Sequence, residues 1–577
     1  MQYGKNRTER RLHRGLQDSA VLLLLLLLGF YVNRHIHIKG LYMDDLYMWS
    51  CYGEQSYLEF AFPFRSSTRF RPVYWTLTYL EMMIVRNHPS LFVPVNILLN
   101  VGLAFFLYRF SRRLSGQSLL SGLMTGALYL ISHFAYYQIA QALGLLETMS
   151  LFLAVLLLFL LLRYLREGRN ADFLAACLCY FLLVFSHERY LALFPLFYLA
   201  LFGGGEGKES RTSAVLPGRS RARGQNGRRA AMERAPQRFA ALGIGRRCFL
   251  PLLPLLELFG IILLRRFFIG SALPAGTGGT EVTETFSIRQ ALHFSVQQLL
   301  YLFGINVGPE YLAGISWTDV APGIRRLVFL SWLPLSGIVL AYLFWSVRRR
   351  AWRERHFLAE NLLFLGFLAL CIGCSAVTIR VELRWVYVSY AGALLYLSYM
   401  IGRLGDFLGA AQSKLRYRCI AAKDSEKVLP LDRERAKRDF GERLGRRAVL
   451  FFSVFFLLYG MLLAPVERYY RSFYSRIYFW EDQDRMNSLA EETVEKYGID
   501  GVLGKQVYII ENSYRMTEFY GRTFFKVYDP EKTGQGTVIR FLPSLAALPA
   551  SANAENSIVL RELPEARGYR DITAEVF

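Results

Sequence analysis

Long apolar blocks flanked by arginine constrain this chain more than any other feature. The first, SAVLLLLLLLGFYV, follows the basic residues Arg7, Arg10, Arg11 and Arg14. A block of about 20 apolar residues crosses a bilayer as helix, because a helix closes its backbone hydrogen bonds within the segment. By length and flanking charge the chain holds about eleven such blocks, near 17–33, 91–109, 116–132, 146–165, 171–187, 189–203, 248–268, 326–346, 357–377, 385–402 and 447–465. The expected fold class is an all-α polytopic membrane bundle of about 11 transmembrane helices carrying a small C-terminal α/β domain.

Charge sets the expected orientation. The formal net charge is +22. The basic residues gather in short connections between blocks and in two longer loops, 204–247 and 403–447, which is the positive-inside pattern. Arg109, Arg112, Arg113, Arg163, Arg166, Arg169, Arg348, Arg349, Arg350, Arg446 and Arg447 all fall on the expected inner side. This distribution, with no recognisable reading motif, excludes nucleic acid as a partner. No small-residue cleavage site follows the first block, so it reads as a signal anchor. A cytoplasmic N-terminus and an odd number of spans give a multi-pass plasma-membrane protein with its C-terminus outside the cytoplasm.

Seven cysteines are scattered and lie mostly in spans. Cys371 and Cys374 form a CxxC inside an apolar block with no second pair, so they read as polarisable core residues.

The division expected is a transmembrane domain over 1–466 and a soluble α/β domain over 467–577. External loop 34–90 is long and aromatic, which favours short helices along the interface. Segment 270–325 continues into IRQALHFSVQQLLYLFG, which reads as helix. Loop 204–247 is rich in Gly, Arg and Ser, with little hydrophobic periodicity. In the C-terminal domain, EDQDRMNSLAEETVEKYG reads as a helix stopped by glycine. QVYIIEN, GTVIRFL and NSIVLREL read as short strands. No nucleophile or phosphate-loop motif is visible there, so an accessory role is expected.

The candidate chemistry lies at the expected outer ends of the spans. Asp44 and Asp45 follow the first span in LYMDDLYMW, and adjacent carboxylates at a membrane surface are costly to hold without a task. Arg69 and Arg71 lie in the same loop, Glu147 opens the fourth span, and His187, Glu188 and Arg189 form an SHERY turn. Arg380, Glu382 and Arg384 lie in TIRVELRWVY. Each has a structural explanation alone: a helix cap for the acid pair, snorkelling for Arg69 and Arg71, an ion pair for Glu382 with Arg384, a satisfied interfacial ring for His187. Convergence on one face is the signal. A carboxylate base can deprotonate an acceptor hydroxyl, and a guanidinium fork can bind the leaving phosphate.

In order and type these elements resemble the GT-C superfamily of membrane glycosyltransferases. The nearest likeness is to protein O-mannosyltransferases and polyprenyl-phosphate-sugar-dependent transferases. The likeness rests on the acid pair Asp44–Asp45, the RP motif Arg71–Pro72, the Asn-rich VPVNILLN, and Glu147. It continues through the His-Glu turn His187–Glu188 before Pro195, and the E-x-R-x-x-Y element Glu382, Arg384, Tyr387. It covers about residues 17–400. The chain departs from it at Asn100 and His187, where relatives often carry His and Lys, and in having no tetratricopeptide array.

The resemblance implies inverting single displacement from a polyprenyl-phosphate-linked sugar donor to an extracytoplasmic glycan, lipid or protein acceptor. Asp44 would be the base and Asp45 a positioning group, with Arg384, Arg189 and Arg71 on the donor phosphate. It implies no metal and no other cofactor, and the D-D adjacency differs from the D-x-D of metal-dependent relatives. Two other readings stand beside it: a transporter or flippase for lipid-linked sugars, and a non-catalytic glycan-binding envelope scaffold.

Overall fold

The computed structural model describes residues 2–36, 45, 48, 55–65, 69–85, 88–142, 144–204, 243–271, 287–378, 380–423, 430–473, 480–511, 525, 537–563 and 568–577. Helix α1 runs Gln2–Asn33, followed in the first loop by α2 (Tyr57–Ala61) and α3 (Pro72–Val85). Then come α4 (Phe92–Leu114), α5 (Leu119–Ile131), α6 (Tyr136–Ala140), α7 (Gly144–Glu167), α8 (Asn170–Ser186) and α9 (Pro195–Gly204). After these stand α10 (Gly243–Ile269), α11 (Ile288–Leu302), α12 (Pro322–Arg348), α13 (Arg355–Ala376), α14 (Tyr387–Lys423), α15 (Pro430–Arg471) and α16 (Trp480–Tyr497).

Six helices among the described residues are long and apolar enough to cross a membrane: Leu12–Asn33 of α1, α4, α7, α12, α13 and Gly441–Arg471 of α15. A seventh arises if α5 and the segment His133–Ala140, bent by 52°, act as one span. The architecture is that of a helical membrane protein, and the count is coarser than the eleven expected. The other expected spans also fall on helices, but weaker ones. Helix α8 has 17 residues, and 189–203 divides into a 3-10 turn and the ten-residue α9. Helix α10 carries Glu257 and Arg265, and α14 is rich in tyrosine and serine. The segment 403–447, expected as a loop of mixed charge with partial helix, is helix to Lys423 in α14 and again from Pro430 in α15. Helix α15 also passes the expected domain boundary at 466 to end at Arg471.

Small residues let the last two long helices meet. A Cβ on Gly409 would lie 2.7 Å from the carbonyl of Gly441, and one on Gly405 would lie 3.0 Å from that of Gly445. Two glycines four residues apart on each helix thus bring the backbones together, as lipid-embedded helices require where the hydrophobic effect does not drive association. The bend after α5 is braced from α15. Glu467 Oε2 accepts from the His133 amide at 2.7 Å and lies 2.6 Å from its Nδ1, while Arg471 Nη1 donates to the Ser132 carbonyl at 3.1 Å.

The three strands expected near the C-terminus are present as β1 (Gln506–Ile510), β2 (Val538–Leu542) and β3 (Ser557–Leu563), and β4 (Gly568–Asp571) joins them. The order is β2-β1-β3-β4, parallel except for β4, which pairs antiparallel with β3. Central β1 buries both faces: Val507 and Ile509 on one side, Tyr508 and Ile510 on the other. That explains its unbroken apolar run, because an inner parallel strand has no solvent face.

Candidate functional site

The site is built from one sharp turn. Gly144 opens α7, and a Cβ there would lie 2.4 Å from the carbonyl oxygen of Gln138, so only glycine lets the chain double back. Asn96 of α4 fixes the turn by donating from Nδ2 to the Gln141 carbonyl at 2.9 Å. The turn then presents the Ala142 amide to Asp45 Oδ2 at 3.0 Å. Asp45 is buried, with 5% of its surface exposed. Its carboxylate is therefore anchored to the segment that also aims Glu147. Asp44 lies outside the described residues.

Three clusters of charge stand beside it. Arg71, at the head of α3, grips Glu188 with two parallel bonds, Nε to Oε2 at 2.6 Å and Nη2 to Oε1 at 3.0 Å. Burial by itself would raise the Glu188 carboxyl, but the Arg71 charge and hydrogen bonds outweigh it and hold the group down to about 2. In the second cluster Glu147 Oε2 accepts from Arg189 Nη2 at 2.7 Å and from the Tyr387 hydroxyl, with Tyr190 beside them. Arg189 Nη1 is buried and has no hydrogen-bond partner among the described residues. In the third, fully buried Glu382 lies between Arg380, whose Nη2 is 2.7 Å from Oε1, and Arg384. The Arg384 guanidinium also sits 4.6 Å from the centre of the Tyr137 ring.

His187 links the clusters. Its Nδ1 accepts from the Arg189 amide at 3.4 Å, and its buried ring lies in the field of Arg71, Arg189, Arg69 and Arg384. Of the residues singled out from sequence, Asp45, Arg69, Arg71, Glu147, His187, Glu188, Arg189, Glu382, Arg384 and Tyr387 therefore gather at one end of the bundle. A cavity of about 410 Å³ lined by Phe159, Arg113, Arg163 and Arg166 lies at the other end of α7.

Sequence reasoning missed two buried ionisable residues here. Arg265 of α10 is fully buried and interacts electrostatically with Glu188 and Arg71. Glu81 of α3 is buried, and burial together with the Asp45 charge pushes its carboxyl up to about 8. The available signal was an acid or arginine set inside an apolar helix, as in YLEMMIV and IILLRRFF.

With the geometry in hand, comparison with protein-family models and with curated proteins finds no match to this chain. Fold and site together define a helical membrane protein with a buried acid and arginine cluster at one end of its bundle.

Proposed function

We propose that the chain is an integral-membrane glycosyltransferase of GT-C type, multi-pass in the plasma membrane, with its acid-bearing end and C-terminal domain outside the cytoplasm. It moves a sugar from a polyprenyl-phosphate-linked donor to an acceptor hydroxyl on a surface glycan, lipid or protein. Asp44 takes the proton of that hydroxyl, and the freed oxygen attacks the anomeric carbon from the face opposite the phosphate. The bond between anomeric carbon and phosphate oxygen breaks, the electron pair leaves with the polyprenyl phosphate, and the configuration inverts.

Asp45 suits the positioning role, since it is buried and anchored at Ala142. Arg189 suits the phosphate, because its buried Nη1 is unpartnered while Nη2 is held by Glu147. Arg384, whose charge bears with that of Arg189 on His187, is the second candidate for the phosphate. Arg71 has two of its nitrogens committed to Glu188, so it acts on the donor through the shape of the His187–Arg189 turn. The observation that carries the reading is the convergence of Asp45, Glu147, Arg189 and Arg384 from four separate stretches of chain onto one end of the bundle.

The test is donor turnover by purified protein in detergent. Polyprenyl-phosphate sugars are supplied with envelope extract as acceptor, and free polyprenyl phosphate is measured for wild type, Asp44→Asn and Asp45→Asn. Extract-dependent release, abolished in Asp44→Asn, supports the transferase. Donor binding without release, indifferent to both substitutions, points to a transporter or scaffold.

A further inference from the structure

Helix α3 carries a row of buried polar groups with nothing to bond. Tyr74, Thr78 and Glu81 are spaced four and three residues apart, which sets them on one face of a helix. They are 2%, 2% and 5% exposed. Neither carboxyl oxygen of Glu81 has a hydrogen-bond partner among the described residues. The Tyr74 and Thr78 hydroxyls are neighbours that do not meet in full hydrogen-bond geometry, and neither has another partner among the described residues. The charge of Asp45 bears on both Tyr74 and Glu81, so the row lies near that carboxylate.

Buried polar groups are nearly always satisfied, and leaving several unsatisfied in one place is destabilising. Such a row is retained where something else completes it. The chemistry of the occupant follows from the groups. The charge of Asp45 disfavours a phosphate here. An acyl or polyprenyl chain would leave every polar atom unbonded. Tyrosine and threonine hydroxyls and a carboxyl kept neutral beside Asp45 each both donate and accept, which matches a ligand dense in hydroxyl groups. The Arg384 guanidinium stands 4.6 Å from the centre of the Tyr137 ring, and Tyr137 also bears electrostatically on Tyr74, so the row adjoins the arginine cluster.

Resting on the glycosyl-transfer reading, we propose that Tyr74, Thr78 and Glu81 form the sugar-binding subsite beside Asp45, adjoining the arginines that take the donor phosphate. The subsite distinguishes a glycosylated polyprenyl phosphate from the bare lipid phosphate. Glu81 serves it as a neutral hydrogen-bonding group, not as a base or a cation ligand.

The experiment compares binding of short-chain polyprenyl phosphates with and without an attached hexose, in detergent, to wild type, Thr78→Val, Glu81→Met and Glu81→Gln. Wild type is expected to prefer the glycosylated lipid. Thr78→Val and Glu81→Met should each reduce that preference by roughly tenfold, the scale of a lost buried hydrogen bond, with bare polyprenyl phosphate bound as before. Glu81→Gln should keep most of the preference, because the amide still donates and accepts. Glu81→Met should also raise the midpoint of thermal unfolding, since it removes an unsatisfied buried group. Equal loss of both ligands, or no loss of either, overturns the subsite while leaving the transferase reading in place. A preference lost equally in Glu81→Gln and Glu81→Met, or Mg²⁺ or Mn²⁺ binding that depends on Glu81, overturns its neutral role. Wild type that binds neither lipid overturns the glycosyl-transfer reading itself.

Discussion

Breaking the Arg71–Glu188 pair tests whether the first loop and the SHERY turn form one rigid unit. The pair joins residues 117 positions apart. Its side chains are only 5% and 8% exposed, and the contact is bidentate. Arg71→Met strips the buried Glu188 carboxylate of its bidentate partner and leaves only the Arg265 charge near it, which costs about 3 kcal/mol, the low end for a broken buried pair. Glu188→Gln leaves the guanidinium buried beside Arg265 and costs a similar amount. The double variant strands neither charge, so the two losses should fail to add by about 2–3 kcal/mol. The assay is denaturant unfolding in mild detergent, followed by tryptophan fluorescence, for all four members of the cycle. Acid gives a second reading. The Glu188 carboxyl is held at about 2 in the folded protein against an ordinary 4.5. A depressed value stabilises fully above the ordinary one, and that stabilisation is lost as pH falls from about 4.5 toward 2. Wild type should lose stability through that window, and Glu188→Gln should lose less. Single variants costing under about 1 kcal/mol, with additive effects and unchanged acid sensitivity, would refute the reasoning.

Other consequences follow from the same geometry. Gly144→Ala forces a Cβ against the Gln138 carbonyl and should cost several kcal/mol or displace the Ala142 amide from Asp45; polyprenyl-phosphate release and thermal unfolding should both register it. Tyr387→Phe removes one of the donors to Glu147 but leaves Arg189 in place, so activity should fall roughly tenfold with little change in stability, read from turnover and unfolding together. Gly409→Leu thrusts a side chain into the Gly441 carbonyl and should separate α14 from α15, lowering the unfolding midpoint or the yield of folded protein without touching the acid-bearing end.

The parts of the fold legible in sequence are those where one physical demand dominates. The crossing helices announce themselves because a bilayer requires unbroken apolar length, as in SLFLAVLLLFLLL of α7. Strands β1 to β3 are legible from short β-branched runs bounded by turn residues. Legibility fails where packing decides. SHERYLALFPLFYLALF reads as a span boundary, yet the chain makes a 3-10 turn there, capped locally by His187 and tied through Glu188 to Arg71 far away in sequence. Helix α14 runs on to Lys423 through a segment whose mixed charges show partial helix without showing where it ends. The site divides the same way. Arg71, Glu147, Arg189 and Arg384 stand out as charges at span ends, whereas Glu81 and Arg265 hide inside apolar helices. Their partners come from other segments, which no local pattern reports.

The most direct measurement follows the fate of the sugar. Wild-type protein in sealed proteoliposomes is given a polyprenyl-phosphate donor labelled in its sugar, with envelope acceptor on one side only. The label and the lipid phosphate are then assayed separately. The account predicts that label passes into a new covalent product with the opposite anomeric configuration, matched one for one by free polyprenyl phosphate, and that Asp44→Asn stops both. Label that crosses the bilayer still joined to its lipid, at a rate unchanged by Asp44→Asn, would contradict it.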